Sequence, residues 1–457
     1  MLKKTLALAI GLSGAQMALA QGFYVDEQSA LRLGDAFSGG AAQANDPSTA
    51  FYNPAGLTRL QERQLSANLS GIYAQSEFDG TATTLSNAPV AGEDAEASSF
   101  SAIPSIYFSA PMSEKMVFGA YLNAPFATGT DFGDDTIARY QATESSITGI
   151  DFGTAFGFKV TDDLSLGLSM VMQYISATVA QSVNTSALCL AAEANGDFAG
   201  TTITCDGLGM PASELGATSR DAQFEMKGDD LAIGFTAGAL YEFSDDARLG
   251  IHYRNRIAHN LQGTATLDVP TAAEGFGSLA GLTDAEAAGT AKLNTPEQAN
   301  ISYFHQLGQF SVQADVQWTK WSRFETLQVV TQDPVIGAVA TPQTYDWEES
   351  MRYAIGAAYQ LNQNITLRTG VALDETPIPD EQTKIDFAFD NYQAVSFGMS
   401  YDINDDIALD FAIQKTLKQE RDVQQGSIAD PNQNLAQLDG KVSNDITSVA
   451  TGLRWKF

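Results

Sequence analysis

Apolar residues alternate with small or polar residues along most of the chain, from about residue 63 to the last residue. Between Leu231 and Phe243 every second position is apolar or alanine, and the same period of two returns at 351–361, 365–373, 395–403 and 449–457. Successive side chains of a β-strand point to opposite faces, so this period predicts strands with one apolar face and one small or polar face.

The connections between these strands are of two kinds. Six are very short polar turns, such as Ser113-Glu114-Lys115 and Asn404-Asp405-Asp406. The other seven are long and polar, at about residues 79–97, 127–144, 180–228, 262–295, 331–349, 375–389 and 419–439. Short and long connections alternate, which predicts about 14 antiparallel strands with short periplasmic turns at one end and long external loops at the other. A soluble β-sandwich has no reason to sort its loops in this way.

We therefore expect an all-β fold, a closed transmembrane antiparallel β-barrel over 63–457. Closure removes unpaired strand edges, which lipid cannot hydrate. The tryptophans support this interpretation because they lie near predicted strand ends, where amphipathic rings favour the membrane interface. They are Trp318, Trp321, Trp347 and Trp455.

The N-terminus predicts export. Lys3 and Lys4 precede the apolar run 5–12 and then Ala18-Leu19-Ala20, which is the order of regions in a cleaved signal peptide over 1–20. The alternative, an N-terminal membrane anchor, needs roughly 20 apolar residues, and this run is shorter and interrupted. We expect the mature protein in the bacterial cell outer membrane.

Residues 21–62 do not alternate and are rich in Ala, Gly, Ser and Asn, so they do not form a barrel strand. A barrel of this size has room inside its lumen, and the segment is predicted to be a small N-terminal plug, or hatch. The alternative is a disordered periplasmic extension, for which Phe23, Tyr24, Phe51 and Tyr52 are poorly suited.

Composition excludes several other functions. The formal net charge is −30, or −32 once Lys3 and Lys4 are removed with the signal peptide, and such a surface repels nucleic acid. Cys189 and Cys205, with no histidine near them, predict a disulfide in an exported protein and not a metal site. His252, His259 and His305 accompany no serine elbow and no metal-binding cluster, so no catalytic residue, metal or cofactor is expected.

The hatch sequence GFYVDEQSALRLGDAFSGGAAQANDPSTAFYNPAGLTRL resembles the N-terminal hatch of the FadL/TodX family of outer-membrane hydrophobic-compound transporters. Its most specific part is the block Asn53-Pro54-Ala55-Gly56. Similar blocks are WTKWSRFETL at 318–327 and MRYAIGAAYQLNQNITLRTGVALDETPIPD at 351–380, so the resemblance covers most of the chain. It implies a fourteen-stranded barrel with an internal hatch. The candidate ligand or hatch residues are Gly22, Phe23 and Asn53-Pro54-Ala55-Gly56.

The resemblance also implies passive uptake of long-chain fatty acids, related lipids or hydrocarbons, which pass from the external loops through the barrel and leave laterally past the hatch. Asn123-Ala124-Pro125 interrupts the third strand and is the candidate exit, since proline removes a ladder hydrogen bond. Alternatively Pro125 simply ends that strand. Expected partners are a hydrophobic small molecule and outer-membrane lipids with lipopolysaccharide. The competing functions are a general polar-solute porin, which needs an open lumen with charged rings, and an outer-membrane lipid hydrolase.

One departure concerns charge. Fatty-acid members of the family hold the carboxylate with basic side chains near the end of the fifth strand and before the tenth, where this chain has Gln181 and Glu348. Arginines that commonly follow the C-terminal block are replaced by Thr383-Lys384-Ile385-Asp386-Phe387, which leaves Lys384 as one possible charge. The expected ligand is therefore either a neutral hydrocarbon or an anionic fatty acid.

Overall fold

The computed structural model describes residues 22–84, 89–211, 216–426 and 436–457, so the predicted signal peptide at 1–20 lies outside the described residues. Within them, fourteen antiparallel strands close into one barrel, as the alternation predicts. The strands are β1 (Gln64–Thr84), β2 (Glu96–Ser113), β3 (Met116–Asp131), β4 (Glu144–Lys159), β5 (Leu164–Val183), β6 (Ala222–Glu242), β7 (Ala247–Arg254 and Ile257–Asp268), β8 (Ala285–Thr295 and Gln298–Leu307), β9 (Phe310–Thr319), β10 (Ser350–Gln360), β11 (Ile365–Asp374), β12 (Tyr392–Asp402), β13 (Ile407–Thr416 and Gln419–Gln425) and β14 (Ala436–Lys456).

The first and last strands close the barrel. β1 pairs with β14 from Gln64 opposite Lys456 to Thr84 opposite Ala436, and each of these two strands has 21 residues. A tilted strand needs only about 9–11 residues to cross the hydrocarbon core, so the longest strands continue beyond the membrane on the long-loop side. Several predicted loops therefore include residues that belong to strands. The predicted loops 79–97 and 180–228 both begin and end inside strands.

The two faces of the wall differ as the period of two predicts. Outward side chains are large and apolar, and Ile233, Ile355 and Phe397 are 68%, 65% and 59% exposed. Inward positions on the same strands carry small or polar residues such as Thr236 and Ser396, which are buried inside the barrel. The outer face therefore fits lipid, and the lumen fits a polar filling.

The hatch fills that lumen with short helices and turns. They are α1 (Ala30–Leu33), α2 (Gly40–Gln43), α3 (Thr49–Tyr52) and a 3₁₀ turn (Pro54–Arg59), which contact strands around the barrel. Small residues on both sides allow close approach: a Cβ on Gly398 of β12 would lie 2.6 Å from the Cα of Gly34. Wall arginines hold the hatch backbone, with Arg248 Nε donating to Ala42 O (2.6 Å) and Arg352 Nη2 to Ala36 O (2.6 Å).

The long loops carry α4 (Thr185–Asn195), α5 (Glu274–Ala280) and α6 (Pro334–Val339), with further 3₁₀ turns at Thr218–Arg220, Trp321–Arg323, Asp380–Gln382 and Ile385–Phe387. Short strands at Thr326–Leu327 and Gln343–Thr344 pair with each other, and Val330–Thr331 pairs with β8. Cys189 and Cys205 form a disulfide with a Cα–Cα distance of 5.9 Å and pack with Phe276 and Ile336. No helix in the described ranges is long and apolar enough to cross a membrane.

Deleting 22–59 should leave a folded barrel with raised single-channel conductance. The wall ladders do not depend on the hatch for closure, and water that fills the lumen would solvate the arginines that lose their hatch partners. Heat-modifiable migration in gels measures folding, and planar-bilayer recording measures conductance. Loss of the heat-modifiable band on deletion would contradict this prediction.

Candidate functional site

The hydrogen-bond ladder between β2 and β3 stops partway up the barrel. It runs from Ser113 opposite Met116 to Ile106 opposite Leu122. Beyond that point β2 continues to pair with β1, and β3 continues to pair with β4 as far as Asp131. On the long-loop side of the barrel, the wall therefore has no ladder between β2 and β3. We call this gap the β2–β3 break.

The break begins at the predicted Asn123-Ala124-Pro125 segment. Asn123 lies opposite Asp151 of β4 and Phe126 opposite Gly149, so β3 contains one extra residue, a β-bulge. Alternation would turn Ala124 outward, but the bulge leaves it only 1% exposed. Strand three does not end here, so the alternative interpretation of Pro125 as a strand terminus is wrong.

The first residues of the hatch take the place of the missing strand. Val25 N–H donates to Pro125 O (2.9 Å), and Ala127 N–H donates to Phe23 O (2.9 Å). Tyr24 and Phe126 form an antiparallel bridge between these two bonds. The hatch is thus joined to β3 by backbone hydrogen bonds at the break.

Gln28 completes this arrangement from the hatch. Its side-chain amide donates to Ala124 O (2.8 Å) and accepts from Ala124 N–H (3.1 Å). Its backbone carbonyl accepts from Ser105 Oγ (2.6 Å) and Tyr107 Oη (2.9 Å), both on β2. Gln28 therefore bridges the two strands at the point where their own ladder ends. No sequence pattern predicts this role, because a single glutamine in the hatch belongs to no repeat or motif.

An aromatic cluster lies inside the barrel against the hatch terminus. Phe23 contacts Trp321 (ring centres 4.7 Å apart) and Phe126 (5.8 Å), and Trp321 contacts Trp347 (5.3 Å). The aromatic cluster consists of Phe23, Phe126, Trp321, Phe324, Tyr345, Trp347 and Phe387. Its buried apolar surface adjoins the β2–β3 break through Phe23 and Phe126.

Two of the tryptophans do not lie at the membrane interface that the sequence predicts for them. Trp321 and Trp347 are 0% and 2% exposed in the lumen, because the segments after β9 and before β10 fold back over the barrel mouth. Trp455 is 44% exposed on the outer face, and Trp318 is partly exposed, which fits the predicted interface positions.

Gly22 packs directly on this cluster. Its φ of +69° lies in the left-handed region, and a Cβ at this position would lie 2.6 Å from Trp347 Cζ3 and 2.8 Å from Trp321 Cζ2. Only glycine satisfies both constraints without displacing the rings. Gly22 and Phe23 are thus brought together with the cluster and the break.

The block Asn53-Pro54-Ala55-Gly56 lies elsewhere. Asn53 Nδ2 donates to Ala239 O of β6 (3.0 Å), and Asn53 Oδ1 accepts from Ala55 N–H (3.0 Å). Pro54 and Ala55 pack against Gly167 of β5, and Gly56 packs against Thr49 of the hatch. This block fastens the hatch to the wall at β5 and β6, so a bulky residue at Ala55 would disturb that attachment and not the break.

A polar cavity of about 180 Å³ lies at the long-loop end of the barrel, and Lys384 is part of its lining. The Lys384 Nζ donates to Gln343 Oε1 (3.1 Å) and lies 5.3 Å from the ring centre of Tyr345. Burial lowers the pKa of Lys384 from its ordinary value, and the carboxylate of Asp386 opposes that shift. At the family's two basic positions, Gln181 is buried and Glu348 is exposed, so neither supplies a cation.

A plugged barrel with short turns at one end, long loops at the other and a lipid-facing apolar band has the architecture of an outer-membrane β-barrel protein. The family model described as outer membrane protein transport protein (OMPP1/FadL/TodX) matches residues 11–457. The chain belongs to this family, whose members are transporters and not enzymes, and it resides in the outer membrane.

The relatives agree with this assignment. The long-chain fatty acid transport protein of Escherichia coli O6:H1 (strain CFT073) is 25% identical over 416 residues, which cover 89% of each chain. The putative outer membrane protein NMB0088 of Neisseria meningitidis serogroup B is 26% identical over 435 residues, which cover 90% of this chain and 89% of that protein.

Two solved structures have the same fold. A Pseudomonas aeruginosa FadL homologue matches with a TM-score of 0.84 at 23% identity, covering 95% of this chain and 100% of the other. The Pseudomonas putida toluene transporter TodX matches with a TM-score of 0.65 at 18% identity, covering 96% of this chain and 100% of the other.

Replacing Gln28 with alanine should loosen the β2–β3 break. Ala124 would lose the side-chain partner of both its N–H and its C=O, and a lost partner for a buried polar group costs about 1–3 kcal/mol. Hydrogen exchange of a peptide covering 120–128 should become faster, while peptides of β10 and β11 stay unchanged. Gln61→Ala, which removes a local bond to Thr58 O, is the matched control. Unchanged exchange in Gln28→Ala would show that the amide does not hold the break.

Proposed function

We propose that this protein is a passive channel for hydrophobic compounds, of the long-chain fatty acid or hydrocarbon type, which leave the barrel sideways through the β2–β3 break. The proteins that it is similar to include a long-chain fatty acid transport protein and a toluene transporter. The β2–β3 break, closed by the hatch and not by a neighbouring strand, is the observation that carries the lateral route.

The physical reason for a sideways exit is hydration. An apolar molecule that entered the periplasm through a straight aqueous pore would expose its whole surface to water, at about 0.8 kcal/mol for each methylene group. A molecule that passes from the lumen into the bilayer through the wall keeps apolar surroundings. The break provides such a passage because its upper β2 and β3 segments share no ladder.

The aromatic cluster provides the step before the exit. It lies between the long loops and the hatch terminus, and it includes both Phe23 of the hatch and Phe126 of the break. A hydrophobic molecule from the external side would bind among these rings and then pass the hatch terminus to reach the break. Gly22 and Phe23 are the hatch residues that such a molecule would contact.

A general polar-solute porin fits the structure less well. Such a channel needs an open lumen with charged rings, whereas this lumen is occupied by the hatch, and the hatch backbone is bonded to wall arginines. A lipid hydrolase is excluded by the family assignment. The intact protein should therefore show low conductance compared with the hatch deletion.

Ala124→Trp should reduce uptake of a fluorescent long-chain fatty acid several-fold in cells that make no other such channel. Ala124 is buried in the break, and an indole there would occupy the passage. Ala120→Trp is the control, because Ala120 lies on β3 below the break at a position that faces outward. Full uptake by Ala124→Trp, at surface levels equal to those of the unchanged protein, would contradict the lateral exit.

Binding in the aromatic cluster should be visible in tryptophan fluorescence. A dibrominated stearate, which quenches on contact, should quench Trp321 and Trp347, and an excess of unbrominated stearate should relieve the quenching. The Trp321→Phe, Trp347→Phe double variant should lose this saturable component, whereas Trp318→Phe, Trp455→Phe should keep it, because those two residues lie on the wall's outer side. Saturable quenching that survives the first double variant would place the ligand outside the cluster.

A further inference from the structure

Three basic side chains lie on the outer face of the wall, on the neighbouring strands β7, β8 and β9. Lys292 of β8 is exposed directly opposite Asn260 of β7. Lys320 follows β9 and continues the outward alternation of Trp318, and both of its neighbours in the chain are buried. Arg256 lies in the interruption of β7 and is exposed. We call Arg256, Lys292 and Lys320 the outer basic patch.

The interruption of β7 places Arg256 on this face. Asn255 N–H donates to Phe235 O of β6 (3.1 Å), and Asn255 Oδ1 accepts from Phe235 N–H (2.6 Å). On the other side, Ile257 is 1% exposed and packs under Gly234 of β6. Because one neighbour is bonded to β6 and the other is buried in the barrel, Arg256 lies on the outer side.

The outer basic patch begins at the top of the lipid-facing apolar band. β9 has 10 residues from Phe310, at the short-turn end, to Thr319, directly before Lys320. At about 3.3 Å per residue and a tilt of about 40°, such a strand rises about 25 Å, which is the height of the apolar band of an outer-membrane barrel. Lys292 lies farther toward the long loops. The patch is therefore at the level of the lipid head groups of the outer leaflet.

The charges of the patch are available. Within the described ranges, none of its three cations forms an ion pair with a carboxylate, although the chain has 55 acidic residues. Other exposed lysines on the long-loop side are paired: Lys227 with Glu225 (2.8 Å), Lys441 with Asp422 (3.4 Å) and Lys415 with Asp445. The patch thus differs from these lysines in lacking its own counter-charge.

The acidic residues beside the patch do not neutralise it. Glu297, whose backbone carbonyl accepts from Lys320 N–H (2.9 Å), accepts with both carboxylate oxygens from Arg323 (3.0 and 2.9 Å). Glu325 and Glu349 are exposed, where solvent and salt weaken their effect on a neighbouring charge. An anion that approaches the outer wall of β7–β9 therefore meets cations without partners.

The spacing of the cations indicates more than one anionic group. Ile257 lies opposite Thr295, so Lys292 is about four residues beyond the level of Arg256, or about 13 Å along the strand. One phosphate cannot contact both cations at that distance, whereas a head group with two phosphates can. Lysine and arginine bind phosphate oxygens through charge-assisted hydrogen bonds. The patch is continuous with the apolar band below it, which favours a lipid over a free phosphate.

We propose that the outer basic patch binds the phosphates of a lipopolysaccharide molecule in the outer leaflet, whose acyl chains lie on the apolar band of β7–β9. Tyr253 and Trp318, at the top of that band, lie beside the boundary between chains and head group. The site is on the outer surface of the wall and does not depend on the proposed channel in the lumen.

The test measures binding of lipid A, the phosphorylated anchor of lipopolysaccharide, to the full-length protein in mild detergent by native mass spectrometry. Lipid A with two phosphates and dephosphorylated lipid A are compared. The triple variant Arg256→Ala, Lys292→Ala, Lys320→Ala should bind the phosphorylated form at least about tenfold more weakly, since each cation near an anionic lipid contributes on the order of a fivefold change in affinity. Its binding of the dephosphorylated form should not change. Arg256→Lys, Lys292→Arg, Lys320→Arg should keep most of the affinity.

Lys227→Ala, Lys415→Ala, Lys441→Ala is the matched control, since it removes the same number of charges from exposed lysines that are already paired. It should change lipid A binding less than about twofold. An equal loss in both triple variants would overturn the proposal in favour of a general effect of net charge. An equal loss for phosphorylated and dephosphorylated lipid A would overturn the role of the phosphates, and full competition by inorganic phosphate would overturn the lipid as the ligand.

Two further measurements keep the result interpretable. Every variant should keep the heat-modifiable band, and if the triple variant does not fold, Lys292→Ala alone should weaken binding of phosphorylated lipid A about fivefold. Unchanged binding in that single variant would then contradict the site. Uptake of a fluorescent long-chain fatty acid should be the same for the folded triple variant and the unchanged protein, because the patch lies outside the lumen. The site and the channel can therefore be refuted separately.

Discussion

The structure depends on one constraint: lipid offers no hydrogen bonds, so each backbone N–H and C=O group in the wall needs a partner within the protein. The usual partner is a neighbouring strand of the ladder. At the β2–β3 break this strand is missing, and the hatch supplies the partners instead. Ala124 bonds to the Gln28 amide, the Pro125 carbonyl to Val25, and the Ala127 N–H to Phe23. Pro125 has no N–H to satisfy. The wall can therefore lack a ladder here without leaving polar groups unpaired.

The bonds that satisfy this part of the wall differ from those of a ladder. A ladder buried between two lipid-facing strands has no alternative partner, whereas the bonds to the hatch face a lumen from which water can replace them. Each such exchange changes stability by only about 0.5–1.5 kcal/mol. The hatch terminus also belongs to the aromatic cluster through Phe23. The ring of Phe23 contacts Trp321, and its backbone carbonyl accepts a hydrogen bond from Ala127 N–H. In the proposed function, a molecule that binds in the cluster would act on Phe23, the same residue that closes the break. It could shift the position of Phe23 only by as much as its own affinity differs between the two positions of that residue.

Sequence alone predicts the parts of this arrangement that follow a local rule. The period of two places Ile233 and Phe397 on lipid, and the alternation of turn lengths gives fourteen strands. Pro125 marks the interruption of β3 because a proline cannot donate to a ladder. By contrast, the bonds of Gln28 to Ala124 join residues 96 positions apart, and no local pattern records them. Trp321 and Trp347 were misplaced for a similar reason: amphipathic rings suit both a membrane interface and a lumen pocket, and only the path of the long segments decides between them.

The distribution of charge limits what the lumen could bind. The chain has 25 basic and 55 acidic residues, and two buried arginines of the wall are already paired with carboxylates, Arg254 with Asp151 at 2.7 Å and Arg352 with Asp26 at 3.1 Å. An anionic group that reached these arginines would thus meet charges that are already paired. Passive flow requires sites that bind strongly enough to be occupied and weakly enough to be left. In the proposed route, the rings and then a hatch held through exchangeable hydrogen bonds would be such weak sites, and the route would end at the bilayer.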